Sequence, residues 1–210
     1  MGSKTERSIA VERLDEDTRK QRETVIAGQY GGIYPPYEAF YIQSIIYAAD
    51  RSETAFKRFD EADALTAPAG LIFATVQEAL THAGALSRFF WPVKKDSQLA
   101  AARGKRLREA FKLDDTSPLK WRNLRNAFEH FDEDLDRFLL EDRVGYFFPG
   151  PVVDDQALTE ETLGQIFKLV DPPHAVCVLL GQRFEFRPIR REVQRVLARA
   201  IEMDNAGARL

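Results

Sequence analysis

Three histidines, His82, His130 and His174, and a single cysteine, Cys177, are the residues best suited to proton transfer or nucleophilic work in this chain. Imidazole titrates near neutral pH, so what stands around each histidine decides its use. His130 closes the run Arg125-Asn126-Ala127-Phe128-Glu129-His130. At about 100° per residue, Asn126 and His130 share one helix face, with Arg122 a turn earlier and Glu133 and Asp134 a turn later. A guanidinium fork grips an anion through two parallel hydrogen bonds and never loses its charge. Beside an imidazole, that pairing suits proton transfer next to a bound phosphate. The plain alternative is an ordinary polar helix face on which His130 pairs with Glu133 or Asp134.

The other candidates are weaker. His82 follows Glu78 by four residues, whereas the carboxylate sites of helical bundles use Glu-x-x-His, so a satisfied histidine is expected there and no metal. His174 follows Pro172-Pro173 and is expected to open a hairpin. Cys177 alternates with apolar residues and reads as core; alone, it forms neither an internal disulfide nor a thiolate metal cluster. There is no GxGxxG, P-loop or HExxH pattern, so no cofactor is expected.

The elements that position these residues follow from hydrophobic spacing. Residues 1–30 form a charged N-terminal arm, a solvated helix or an irregular segment. After the Gly31-Gly32 and Pro35-Pro36 punctuation, a first core helix runs from 37 to about Phe59. Ala67-Pro68-Ala69-Gly70 breaks the chain before a well-buried helix that ends at Pro92, with Phe73, Val76, Ala79, Leu80, Ala83 and Leu86 on its apolar face. A third helix spans Ser97 or Gln98 to about Lys112. Ser117-Pro118 then opens the strongest pattern: Trp121, Leu124, Phe128, Phe131, Leu135 and Phe138 recur at spacings of three and four. That seam predicts one helix running to about Arg143.

Past Gly145 the segment YFFPGPVVDD reads as a connector and TEETLGQIFKLVD as a short helix or loop. AVCVLL and RFEFR form a hairpin about Gly181-Gln182, and Pro188 opens a last helix. The expected fold is mainly α: an up-and-down bundle of four to five helices over 31–143, carrying a small C-terminal β-hairpin plus helix over 144–210.

The 210 residues fit one domain with an appendage, and 44% hydrophobic content suffices for a core. No apolar run approaches the ~18 residues of a membrane span. The N-terminal stretch also lacks the apolar core of a signal peptide, so a cytoplasmic protein without membrane contact is expected. Charge is uneven. Lys94 to Arg125 holds ten basic residues against four acidic ones, a local +6, while the remainder sums to −9. A basic stretch leading into the His130 run suits phosphate contacts made locally, and equally a solvated basic helix face.

The Arg125-Asn126-x-x-x-His130 pattern on a late helix of a bundle resembles the HEPN superfamily, whose motif is Arg, a polar residue, three variable residues and His. The resemblance covers about 37–143. It implies a metal-independent endoribonuclease, of the kind that serves as a toxin or defence effector, active as a homodimer and often held by a regulatory partner protein. It assigns catalysis to Arg125, Asn126 and His130, with Lys120 and Arg122 placed to bind RNA. The ribose 2′-OH would attack its own phosphodiester and leave a 2′,3′-cyclic phosphate. One imidazole cannot readily be base and acid at once, which explains two copies in one cleft. The same resemblance admits a non-catalytic helical module that binds nucleotide, RNA or protein. The acidic residues Glu129, Asp132, Glu133, Asp134 and Asp136 depart from what an RNA site needs, since carboxylates repel phosphates.

Overall fold

Helix α1 (Glu16–Tyr30) begins where the Asp15 carboxylate accepts the Thr18 N–H at 2.9 Å and ends at Gly31 in the left-handed region. A computed structural model describes the chain over residues 14–93, 97–121, 127–128, 130–140, 146–161 and 164–210. None of the α1 residues is fully buried, as expected for a solvated helix. The corner after it sits hard against a later helix. Gly32 has φ +85°, and a Cβ there would lie 2.2 Å from the Arg103 backbone nitrogen. Only glycine fits.

Helices α2 (Glu38–Ala64) and α3 (Ala69–Phe90) form a hairpin locked by Ser52, whose buried hydroxyl donates to the Ala79 carbonyl at 2.8 Å. Thus α2 runs one turn past the expected Phe59. Helix α4 (Gln98–Phe111) is capped by Ser97 and stopped at Lys112, which adopts φ +54°. From α4, Arg106 reaches the Tyr30 and Ile33 carbonyls and the buried Glu38 carboxylate, tying α1, α2 and α4 together.

The expected long helix from Pro118 is not continuous. Pro118–Lys120 makes a single 3-10 turn, and Trp121 follows in extended backbone with half its surface exposed. Leu119 takes the buried seat near Leu80, Ala83 and Ile189. Trp121 lines the same hollow but keeps half of its surface exposed. Helical backbone is described again at Ala127 and Phe128, and α5 spans Phe131–Leu140. Phe138 is buried against Phe167, centroids 5.3 Å apart, and Phe131 lies under the Lys168 ammonium at 4.6 Å.

The C-terminal region holds more strand than the hairpin expected of it. Strand β1 (Tyr146–Val153), short helix α6 (Leu158–Glu161), β2 (Gly164–Asp171), β3 (Val176–Leu179) and β4 (Gln182–Glu185) build a sheet in the order β1-β2-β3-β4. The Pro-rich connector is a strand because β1 is an edge, where prolines lacking N–H are tolerated, and the register slips between Phe148 and Pro151. Strands β1 and β2 run parallel, while β2-β3-β4 are antiparallel. The hairpin turn falls at Leu180 and Gly181, both with positive φ, one residue earlier than Gly181-Gln182.

Phe167, Val170, Cys177 and Leu179 of the sheet belong to the same buried cluster as the helices, so the extension and the bundle share one interior. Ile166, Leu169, Val176 and Val178 form a second cluster under Val152 and Leu158. Helix α7 (Arg187–Asn205) closes the core along α2. Its Arg190 meets Asp60 at 2.7 Å and the buried Glu53 at 3.3 Å, and Phe186 packs on Phe56 and Phe59. No helix among the described residues is long and apolar enough to cross a membrane.

Candidate functional site

His130 occupies the turn that launches α5, and its carbonyl accepts the Asp134 N–H at 3.0 Å. Phe131 beside it is pinned by Lys168, which also covers Phe73 of α3 at 5.7 Å. The backbone under the imidazole is therefore anchored to sheet and bundle at once. The ring itself is 56% exposed, with Nδ1 3.9 Å from the Glu133 carboxylate. An accessible imidazole beside a carboxylate can take or give a proton, and the carboxylate also raises the electrostatic cost of bringing a phosphate near. Arg125, Asn126 and Arg122 lie outside the described residues.

Lys120 has a different setting. Its ammonium pairs with Asp115 at 2.9 Å, and the Trp91 indole donates to the same carboxylate at 3.2 Å. The Lys120 and Trp91 hydrogen bonds hold the Asp115 carboxyl below its ordinary range. As placed, Lys120 serves the end of the 3-10 turn.

His82 lies on the wall of an open groove of about 690 Å³ between α2 and α3, floored by Ser44, Ala48 and Ala85 and flanked by Phe40, Tyr47 and Phe89. Phe40 and Tyr47 are 69% and 64% exposed. Glu78, 4.0 Å from His82, is also paired to Arg58, so this histidine stands beside an ion pair. Phe73 and His82 are nine residues apart, about 180° around the helix. The groove and the α5 attachment therefore sit on opposite sides of α3.

The third histidine does more than open the hairpin. His174 Nδ1 lies 2.8 Å from Asp171, a carboxylate only 1% exposed, which also accepts the Gln156 and His174 backbone N–H groups at 3.0 and 3.1 Å. Burial pushes this carboxyl up, but the two amide donors and the imidazole outweigh it and hold it below the ordinary range. Asp155 joins them: one donor atom from each of Asp155, Asp171 and His174 lies within 4.8 Å of the others. Sequence inspection missed this group because its members come from separate turns, Asp-Asp-Gln and Asp-Pro-Pro-His; only the second was legible, as a turn. Cys177 is fully buried and burial pushes its thiol up to about 12, so it carries no nucleophilic role.

No family model, no curated protein and no solved structure matches this chain.

Proposed function

We propose that the chain is a HEPN-type endoribonuclease that cleaves RNA without a metal, through attack of the ribose 2′-OH on the adjacent phosphate. In this reading His130 moves the proton, Arg125 neutralises the phosphorane, Asn126 orients the ring or the phosphate, and a second copy supplies the complementary acid. The observation that carries it is the position of His130: solvent-open, at the start of a helix whose next residue is clamped to the core, on a chain whose local +6 segment leads into the motif. A buried imidazole would have had no substrate to meet. The second reading is a non-catalytic helical module, favoured by the apolar groove on α2 and α3, which is set apart from His130.

Incubation of purified protein with a structured RNA in EDTA separates the two. Nuclease action predicts fragments ending in 2′,3′-cyclic phosphate for wild type, lost in His130→Ala and in Arg125→Ala, with the protein sedimenting as a dimer. Equal RNA loss in all three proteins means a contaminant and defeats the nuclease reading. Intact RNA with wild type leaves the binding module.

A further inference from the structure

Parallel pairing places the carboxyl ends of β1 and β2 side by side: Val153 stands opposite Val170, and the Asp154 N–H donates to the Val170 carbonyl at 3.2 Å. The turns that leave these two ends carry Asp155 and Asp171-Pro172-Pro173-His174. The two turns bring one donor atom from each of one imidazole and two carboxylates within 4.8 Å of one another, one of the carboxylates almost wholly buried.

From this convergence we infer that Asp155, Asp171 and His174 form a binding site for a six-coordinate divalent first-row metal ion. The donor set of one nitrogen and two oxygens suits Mn2+ and its neighbours better than the all-oxygen sets of Ca2+ or the thiolate sets of structural Zn2+. The 2.8 Å between His174 Nδ1 and Asp171 Oδ2 subtends close to a right angle at an ion about 2.1 Å from both, an octahedral bite, with water completing the sphere.

Asp171 has the lone pairs for this role. Its Oδ1 accepts the His174 N–H and its Oδ2 the Gln156 N–H, so the carboxylate is oriented by backbone before any ion arrives. Two successive prolines limit how far the His174 turn can swing. Coordination through Nδ1 replaces its hydrogen bond to Asp171 and uses the neutral ring with its single proton on Nε2, so the Nδ1 lone pair takes the ion. Asp155 is exposed and supplies the third ligand, giving the ion a way in.

The test uses full-length protein stripped with EDTA, then titrated with MnCl2 and read by loss of the free-ion EPR signal. The inference requires one Mn2+ per chain at pH 7.5, with affinity at least about tenfold weaker in His174→Gln and in Asp155→Asn. Both substituted side chains are exposed, so folding is preserved and circular dichroism checks it. His82→Ala must bind as wild type does. Absence of a stoichiometric site in wild type, unchanged affinity in the two ligand variants, or loss of binding in His82→Ala overturns the inference. RNA cleavage measured in EDTA reads the His130 site separately, so either idea can fail alone.

Discussion

Asp171→Asn isolates what one buried carboxylate contributes to the sheet and to its junction with the bundle. The side chain is 1% exposed and accepts two backbone N–H groups from two different turns, along with the His174 ring. The amide is nearly the same size. It keeps one oxygen for the His174 N–H but turns an NH2 group toward the Gln156 N–H, so one charge-assisted hydrogen bond is lost and one donor is orphaned. Such a loss costs about 3 kcal/mol. At 2–4 °C per kcal/mol for a chain of this size, Tm falls by roughly 6–12 °C. The effect reaches global unfolding because the sheet that carries Asp171 shares its core with the helices through Val170 of β2 and Cys177 and Leu179 of β3. Differential scanning calorimetry in EDTA, which removes any contribution from bound metal, measures it. The carboxyl is held below its ordinary range in the folded state, so its stabilisation is complete above the unfolded value of about 3.9 and is lost as pH falls through the lower folded value. The gap between wild type and variant is therefore present at pH 7 and narrows below about 4. Equal Tm values at pH 7, or a gap undiminished in acid, would refute the reasoning.

Gly32→Ala should lower stability by more than about 2 kcal/mol, because the added methyl meets the Arg103 backbone and φ is positive. Undocking of α1 follows, seen as faster tryptic cleavage at Arg19, Lys20 and Arg22; wild-type Tm and cleavage rate would contradict the contact. Trp121→Ala should cost less than about 1.5 kcal/mol, against about 3–5 kcal/mol for a buried aromatic. Removing this indole should also leave blue-shifted emission from Trp91, which is only 7% exposed. A large loss of stability would restore Trp121 to the core and with it a continuous helix.

Much of the helical frame was legible because its signals are local. Ser97 caps the helix expected to start there, the glycines and prolines at 31–36 precede α2, and the apolar face of α3 repeats at helical spacing. The strands were less legible. Pro149 and Pro151 argue against a strand locally, and β1 accommodates them as an edge strand whose register slips between Phe148 and Pro151. The pattern from Trp121 to Phe138 was misleading at its start. Spacing says which residues would share a face if the helix were unbroken, and cannot say that Leu119 claims the buried seat first.

For the candidate sites the division is similar. Arg125, Asn126 and His130 are visible as a motif within six residues, and accessibility of the His130 ring is a matter of where α5 docks, which Lys168, Phe73 and Phe167 determine. Asp155 and Asp171 carry no spacing signal, because they lie sixteen positions apart in sequence and the parallel register of β1 and β2 rejoins them. Short-range preferences of backbone and side chain, written in sequence, settle the helices, their ends and the kinds of chemistry on offer. Which groups actually meet depends on long-range pairing, whose energy belongs to the assembled sheet and core and to no single segment.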